Sequence, residues 1–237
     1  MTAEGRRLLP PAAMTLAMMA VLLGLGTWQV QRLLWKQTLL AQIERAESAP
    51  PNPLPVPLLV NPPPFAKISA TGTFLPGKTA LYGAEVRSTA MGTAMGARMI
   101  VPLRRSDGKI LLVDRGWAPL TRTGPIDMPT GIATIAGYVR FADSPGWFSA
   151  KNDIVAHRFY TLDPVAIGAA IGEPDVPPFV LVVLGAGGDG PPDRWPDPAR
   201  HLPRPANNHL VYAITWYGLA VALLTIFFVW ARKGTRA

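Results

Sequence analysis

Two long uncharged runs limit what this chain can become. Residues 8–31 carry no charge over 24 positions, and residues 205–231 carry none over 27. As a helix at 1.5 Å per residue, the first run alone would reach about 36 Å, enough to cross a bilayer. The stretch between them holds 17 of the Lys/Arg residues and 14 of the Asp/Glu residues (positions 33–204) and cannot sit in lipid. The expected architecture is a membrane protein, with two transmembrane helices flanking a strand-rich α+β extracytoplasmic domain. Its boundaries are predicted as a cytoplasmic N-terminus at 1–11, helices at 12–31 and 209–231, a domain at 32–208 and a cytoplasmic C-terminus at 232–237. Pro10 and Pro11 are expected to mark the entry to the first helix.

Charge placement gives the orientation. Arg6 and Arg7 precede the first run, while Arg232, Lys233 and Arg236 follow the second. By the positive-inside rule both ends are cytoplasmic and the domain is translocated, into the periplasm if the membrane is a bacterial inner membrane. The formal net charge of +8 is therefore mostly at the ends, because positions 33–204 balance to +3. No basic stripe with interleaved aromatics runs through the middle, so nucleic-acid binding is not expected. The chain has no cysteine, which excludes disulfides, thiolate metal sites and cysteine nucleophiles. A cleaved signal peptide is the alternative for the first run, although its apolar length exceeds a signal's usual core.

Both runs carry small residues at spacings of three and four: Ala13, Ala17, Ala20, Gly24 and Thr27 in one, Thr215, Gly218, Ala222 and Thr225 in the other. Such stripes allow close helix packing in lipid, though alanine and glycine are common in membrane helices in any case. In the domain, residues 33–46 read as a helical continuation. Residues 50–64 hold eight prolines and form an extended strap. Strand-like runs follow at 66–74, 80–86, 97–103, 109–113, 132–141 and 179–184. Ser106-Asp107-Gly108 reads as a hairpin turn. A short helix is predicted over 163–171, with Asp163 as N-cap and Pro164 at its first position.

Several patterns carry little chemistry. Residues 185–190, GAGGDG, match G-x-G-x-x-G. Two prolines follow where a phosphate-binding helix would have to start. Met91, Met95 and Met99 lack a His or Cys companion and read as core or loop side chains. The scattered carboxylates, Asp107, Asp114, Asp127, Asp143, Asp153 and Asp163, form no acid/base constellation. A non-enzymatic role is expected.

Two stretches are more specific. LLVDRGWAP, residues 111–119, ends a strand in Asp114-Arg115-Gly116-Trp117. Gly116 permits a turn or bulge. Arg115 offers a guanidinium for a carboxylate ligand, or for an ion pair within the fold with Trp117 as core filler. NNHLVYAITWYGLA, residues 207–220, opens the second helix with His209. In helical geometry His209, Ala213, Trp216 and Ala220 share one face. An imidazole there serves as an axial haem ligand or as an interfacial residue in an aromatic belt. His157 and His201 stand in polar loop contexts.

These stretches, with LGTWQVQRLLWK at residues 25–36, resemble the signatures of the surfeit locus protein 1 family, in matching order over nearly the whole chain. That family comprises cytochrome c oxidase assembly factors. The resemblance implies haem a as a transiently bound cofactor, with the oxidase catalytic subunit, haem A synthase and membrane lipid as partners. It assigns His209 as the axial ligand and matches Trp216, Trp28 and Gln29 to motif positions. Arg115 or Arg32 is the expected contact for the haem propionates. The stretch HLPRPANNH departs from the pattern in Pro203 and Pro205. A haem-free scaffold for a nascent oxidase subunit is the alternative reading.

Overall fold

The computed structural model describes residues 3–90, 92–121, 126–144, 146–147, 149–185 and 194–234, with side chains from residue 9 to residue 233. Met91, most of the 185–190 glycine stretch, the side chains of Arg6 and Arg7, and Arg236 lie outside the described residues. The chain divides into two units, residues 1–42 with 204–237 and residues 43–203.

The first unit is a pair of helices, α1 (Ala3–Ser48, whose last residues belong to the other unit) and α3 (His209–Gly234). Both are long and apolar enough to cross a membrane. Large apolar side chains such as Met14, Leu16, Val211 and Ile226 stand exposed along them, a surface suited to lipid rather than water. Helix α1 extends past 12–31 in both directions, and residues 33–46 continue it as expected. Pro10 and Pro11 lie inside the helix instead of marking its entry. Each proline deprives the carbonyl four residues earlier of its donor. Those carbonyls belong to residues 6 and 7, at the charged end, where water can satisfy them.

The two helices run antiparallel, since contact passes from Gln29 with His209 to Thr27 with Tyr217. Leu22, Gly26, Ala213 and Ala220 are the buried positions of the pair. A Cβ on Gly26 would stand 2.9 Å from the Tyr217 ring, so glycine is what lets that ring lie against α1. Of the small-residue stripes named above, Thr27 takes part in this contact through its hydroxyl, which meets the Tyr217 hydroxyl at 3.2 Å. Ala13, Ala17, Ala20, Gly24 and Thr27, and likewise Thr215, Gly218, Ala222 and Thr225, are all exposed. Thr215 and Thr225 donate back to Val211 O and Val221 O of their own helix. At one end of the pair the hydrogen bond between Gln29 and His209 adds a polar contact to the same face. The face 209, 213, 216, 220 on α3 is indeed the inward one, with Ala213 and Ala220 buried and His209 and Trp216 half-buried.

The second unit is built on β2 (Lys67–Phe74), β3 (Ala80–Thr89), β4 (Gly92–Arg105), β5 (Ile110–Pro119), β6 (Ile132–Phe141) and β8 (Phe179–Val183), with two-residue strands β1 (Asn52–Pro53) and β7 (Arg158–Phe159) at the margins. Strands β2, β6, β8, β5 and β4 are neighbours in that order, and β4 pairs again with β2, closing a small five-stranded barrel. Only β8 and β5 run parallel within it. Alternate residues fill the interior: Ile68 and Ala70, Val101 and Leu103, Leu111 and Val113, Phe179 and Leu181. Ile100, Leu112, Val180 and Val182, on the opposite faces of their strands, are buried too. That explains why these segments read as continuous apolar runs.

The 105–109 hairpin forms with Gly108 at φ 76°. Helix α2 (Pro164–Ala170) starts as predicted, with Asp163 Oδ1 accepting from Ala166 N at 3.0 Å and Pro164 in the first turn. Arg158–Phe159 and Asn52–Pro53, pairing over two residues each, have no pattern of their own to betray them.

Candidate functional site

His209 is the first residue of α3. Its Nδ1 lies 2.6 Å from Oε1 of Gln29 on α1. With the amide oxygen as acceptor, Nδ1 donates and Nε2 keeps its lone pair free. Trp28 stands edge-on to the imidazole, with ring centroids 6.3 Å apart and planes at 87°. The resemblance-derived positions Trp28, Gln29 and His209 are thus one cluster. Trp216 shares the inward face of α3, two helical turns from His209. The indole that touches the imidazole is Trp28.

Arg32 lies one turn beyond Trp28 and Gln29 on α1 and stacks on Trp35, its Cζ 3.9 Å from the ring centroid. Asn207, just before the helix, has a buried Oδ1 with no hydrogen-bond partner. Such an acceptor costs stability unless a donor arrives from water or a ligand. The Gln29–His209 link was open to inference from sequence. A glutamine in an apolar span needs a polar partner, and few are available in the other helix. The orphaned Asn207 oxygen had no such signal.

Among the described residues no group of three or more His, Cys, Asp or Glu side chains could enclose a metal ion. A lone imidazole can still be one axial donor to an iron whose other ligands come with it, as in a porphyrin. The donor set therefore fits haem and does not fit a bare ion, which would take three or four protein ligands.

Arg115 belongs to the barrel unit. In β5 it is the extra residue of a β-bulge, since Met99 pairs with Gly116 and Ile100 with Asp114. Its guanidinium donates to the backbone oxygen of Asp127 and to Met128 Sδ, and it lies 5.1 Å over the Phe74 ring. Burial pushes its pKa below the ordinary arginine value, with Asp127 opposing the shift. The partner is thus a carbonyl, where an acid side chain was the expected alternative.

The rest of the DRGW stretch holds the barrel together. Asp114, 1% exposed, accepts from Arg98 Nε and from Gly116 N at 3.0 Å. Gly116 has φ 127°, and a Cβ there would come within 2.1 Å of Asp197 O. Trp117 is fully buried against Trp195 and exchanges both backbone hydrogen bonds with Asp197, at 2.8 and 2.7 Å. Of the other histidines, His201 meets Glu47 Oε1 at 3.0 Å, and His157 sits at φ 50° in a turn before β7.

The SURF1 family model matches residues 16–221. A SURF1-like protein of Rickettsia conorii is 28% identical over 90% of this chain and 88% of its own length. Surfeit locus protein 1 of Xenopus tropicalis is 29% identical over 90% of the chain and 72% of its own, and that of Homo sapiens 28% over 90% and 74%. The family match runs over residues 16–221, well over half of the chain: the chain belongs to the SURF1 family.

Proposed function

We propose that this protein is an assembly factor for haem a-containing cytochrome c oxidase that binds haem a and assists its delivery to the catalytic subunit. The observation that carries this reading is the Gln29–His209 hydrogen bond. It fixes the imidazole and leaves Nε2 as a ready donor beside Trp28. A metal-ligating histidine is commonly held in this way by a second residue on its other nitrogen. Arg32, on the same helix one turn away, is the cation suited to a propionate. Trp216 supplies an aromatic surface along the same face of α3. The cargo is apolar with two carboxylates, so a half-buried site at the end of a membrane-length helix suits both parts of it. On this reading the ends of the chain are cytoplasmic, the barrel is periplasmic, and the protein acts as a carrier with no reaction of its own. Haem A synthase is the donor-side partner.

The test is the visible spectrum of the protein purified from cells that make haem a. The wild type should carry a haem a spectrum, and His209→Ala should lose it while keeping the thermal transition of the barrel. A colourless wild-type protein that co-purifies with the catalytic subunit would identify a haem-free scaffold instead.

A further inference from the structure

A second site stands in the barrel unit, on residues that the haem reading does not use. Strand β3 pairs with β4 through Tyr82–Arg98 and then Glu85–Gly96. Gly83 and Ala84 therefore face a single residue of β4, Ala97, and the strand bulges there. Gly83 takes φ 72°, a conformation glycine adopts without strain. The bulge opens a cleft of about 290 Å³ lined by Tyr82, Gly83, Ala84, Glu85, Arg98 and Arg140. That is at the small end of ligand-binding cavities.

Two guanidinium groups beside this bulge have unmet hydrogen-bonding capacity. Arg98 gives Nε to Asp114, but its buried Nη2 has no acceptor. Arg158 gives Nη2 to Gly83 O at 3.1 Å, and its buried Nε has no acceptor. A buried N–H without a partner costs more than a hydrogen bond returns, so both groups are available to an acceptor that reaches them.

The surrounding charges leave a cationic excess. Asp114 pairs with Arg98, and Asp143 pairs with Arg140 at 3.1 Å. Glu85 is held by Arg87 through two hydrogen bonds of 2.9 Å, and Arg87 also meets Asp197, which Arg200 approaches at 3.8 Å. Arg158 has no carboxylate within 4 Å among the described residues. The Tyr82 hydroxyl donates to Asp143 Oδ2 at 2.7 Å and accepts from Arg140 at 2.8 Å, so it contributes no competing negative charge at neutral pH.

We propose that the cleft at the β3 bulge binds a small oxyanion, a phosphate or carboxylate group, between Arg98 and Arg140. Planar guanidinium groups match the oxygens of such groups in geometry as well as charge. The group can come from a free anion or from the headgroup of an anionic lipid.

The test uses the full chain in an uncharged detergent at low ionic strength. Inorganic phosphate, malonate and dihexanoyl phosphatidylglycerol are titrated in turn and followed by calorimetry. Saturable binding of at least one probe is expected. Arg140→Gln should weaken it about 10- to 100-fold, as expected for losing a charged hydrogen bond. Ala84→Glu should do the same by placing a carboxylate at the mouth of the cleft. Ala84 is exposed, so that variant should keep the wild-type melting temperature. Binding of the lipid alone identifies a headgroup as the source; binding of phosphate or malonate identifies a free anion. No saturable binding, or binding unchanged in Ala84→Glu, overturns the proposal. Haem content is not part of the readout, so the two sites succeed or fail separately.

Discussion

His209 and Gln29 stand 180 positions apart in the chain, yet their side chains meet at 2.6 Å. Among the described residues this is the hydrogen bond that holds the imidazole, with Trp28 edge-on beside it. On the haem reading proposed above, Gln29→Ala should lower haem a affinity about 10- to 100-fold, the usual effect of losing the residue that orients a metal-bound histidine. Gln29→Glu, which keeps an acceptor, should retain most of it. Absorbance titration of the detergent-solubilised variants distinguishes the two.

Asp114 is the other residue on which much converges. It is buried, holds the Arg98 guanidinium and caps the Gly116 amide. Arg98 lies above the ordinary arginine pKa. Burial opposes that shift, and the Asp114 charge and hydrogen bond overcome it. Asp114→Ala leaves that cation buried and unpaired, at a cost of about 3–5 kcal/mol. Asp114→Asn keeps an acceptor and should cost less. Denaturant melts of the full chain measure both.

Gly116→Ala should destabilise on the order of 3 kcal/mol. It meets strain at φ 127° and the backbone of Asp197 together. The obstacle is main chain, so no side chain can swing aside to relieve it. A matching Gly24→Ala change, in the exposed part of α1 with nothing near the added methyl, should be close to neutral in the same melt.

Alkaline stability should turn on Tyr82. Burial and then the Asp143 hydrogen bond raise its pKa from 10.0 to about 12. A group whose folded pKa is raised favours the protonated fold. Its contribution is therefore complete below pH 10 and is lost as pH climbs to about 12. Spectrophotometric titration near 295 nm should show a late-ionising tyrosine that disappears in Tyr82→Phe. The variant should lose less stability than wild type between pH 10 and 12, although it starts lower for want of the Asp143 contact. Tyr138 is raised as well, chiefly by burial, and remains as an internal comparison.

Much of this fold was legible because its signals are local. The Asp163-Pro164 start of α2, the Gly108 turn and the 132–141 strand each depend on a few adjacent residues and appear where the sequence puts them. The barrel strands were legible as apolar runs, but their order was not. The β2–β4 closure joins Phe74 to Leu103, and no feature of either residue names its partner. The helix contact was legible only in part, since of the stripe residues Thr27 meets Tyr217 while Gly26 carries the close approach. Small side chains at helical spacing occur on every face of an apolar helix, whereas Gly26 and Tyr217 reveal themselves only when the two helices are brought together. At the site, His209 stood out by type and position. The Gln29 acceptor was within reach as a polar residue in the other span, whereas the orphaned Asn207 oxygen depended on the fold.

The closure of the barrel also dictates when the domain can first exist during synthesis. Strands β2 through β6 emerge in turn, but the ring stays incomplete until β8 slots between β6 and β5. Twenty-five residues separate its last residue, Val183, from His209 at the start of α3. Until β8 is in place, β5 and β6 each present an unpaired edge of backbone N–H and C=O groups, so the nascent chain is open to mispairing until most of the domain has been made.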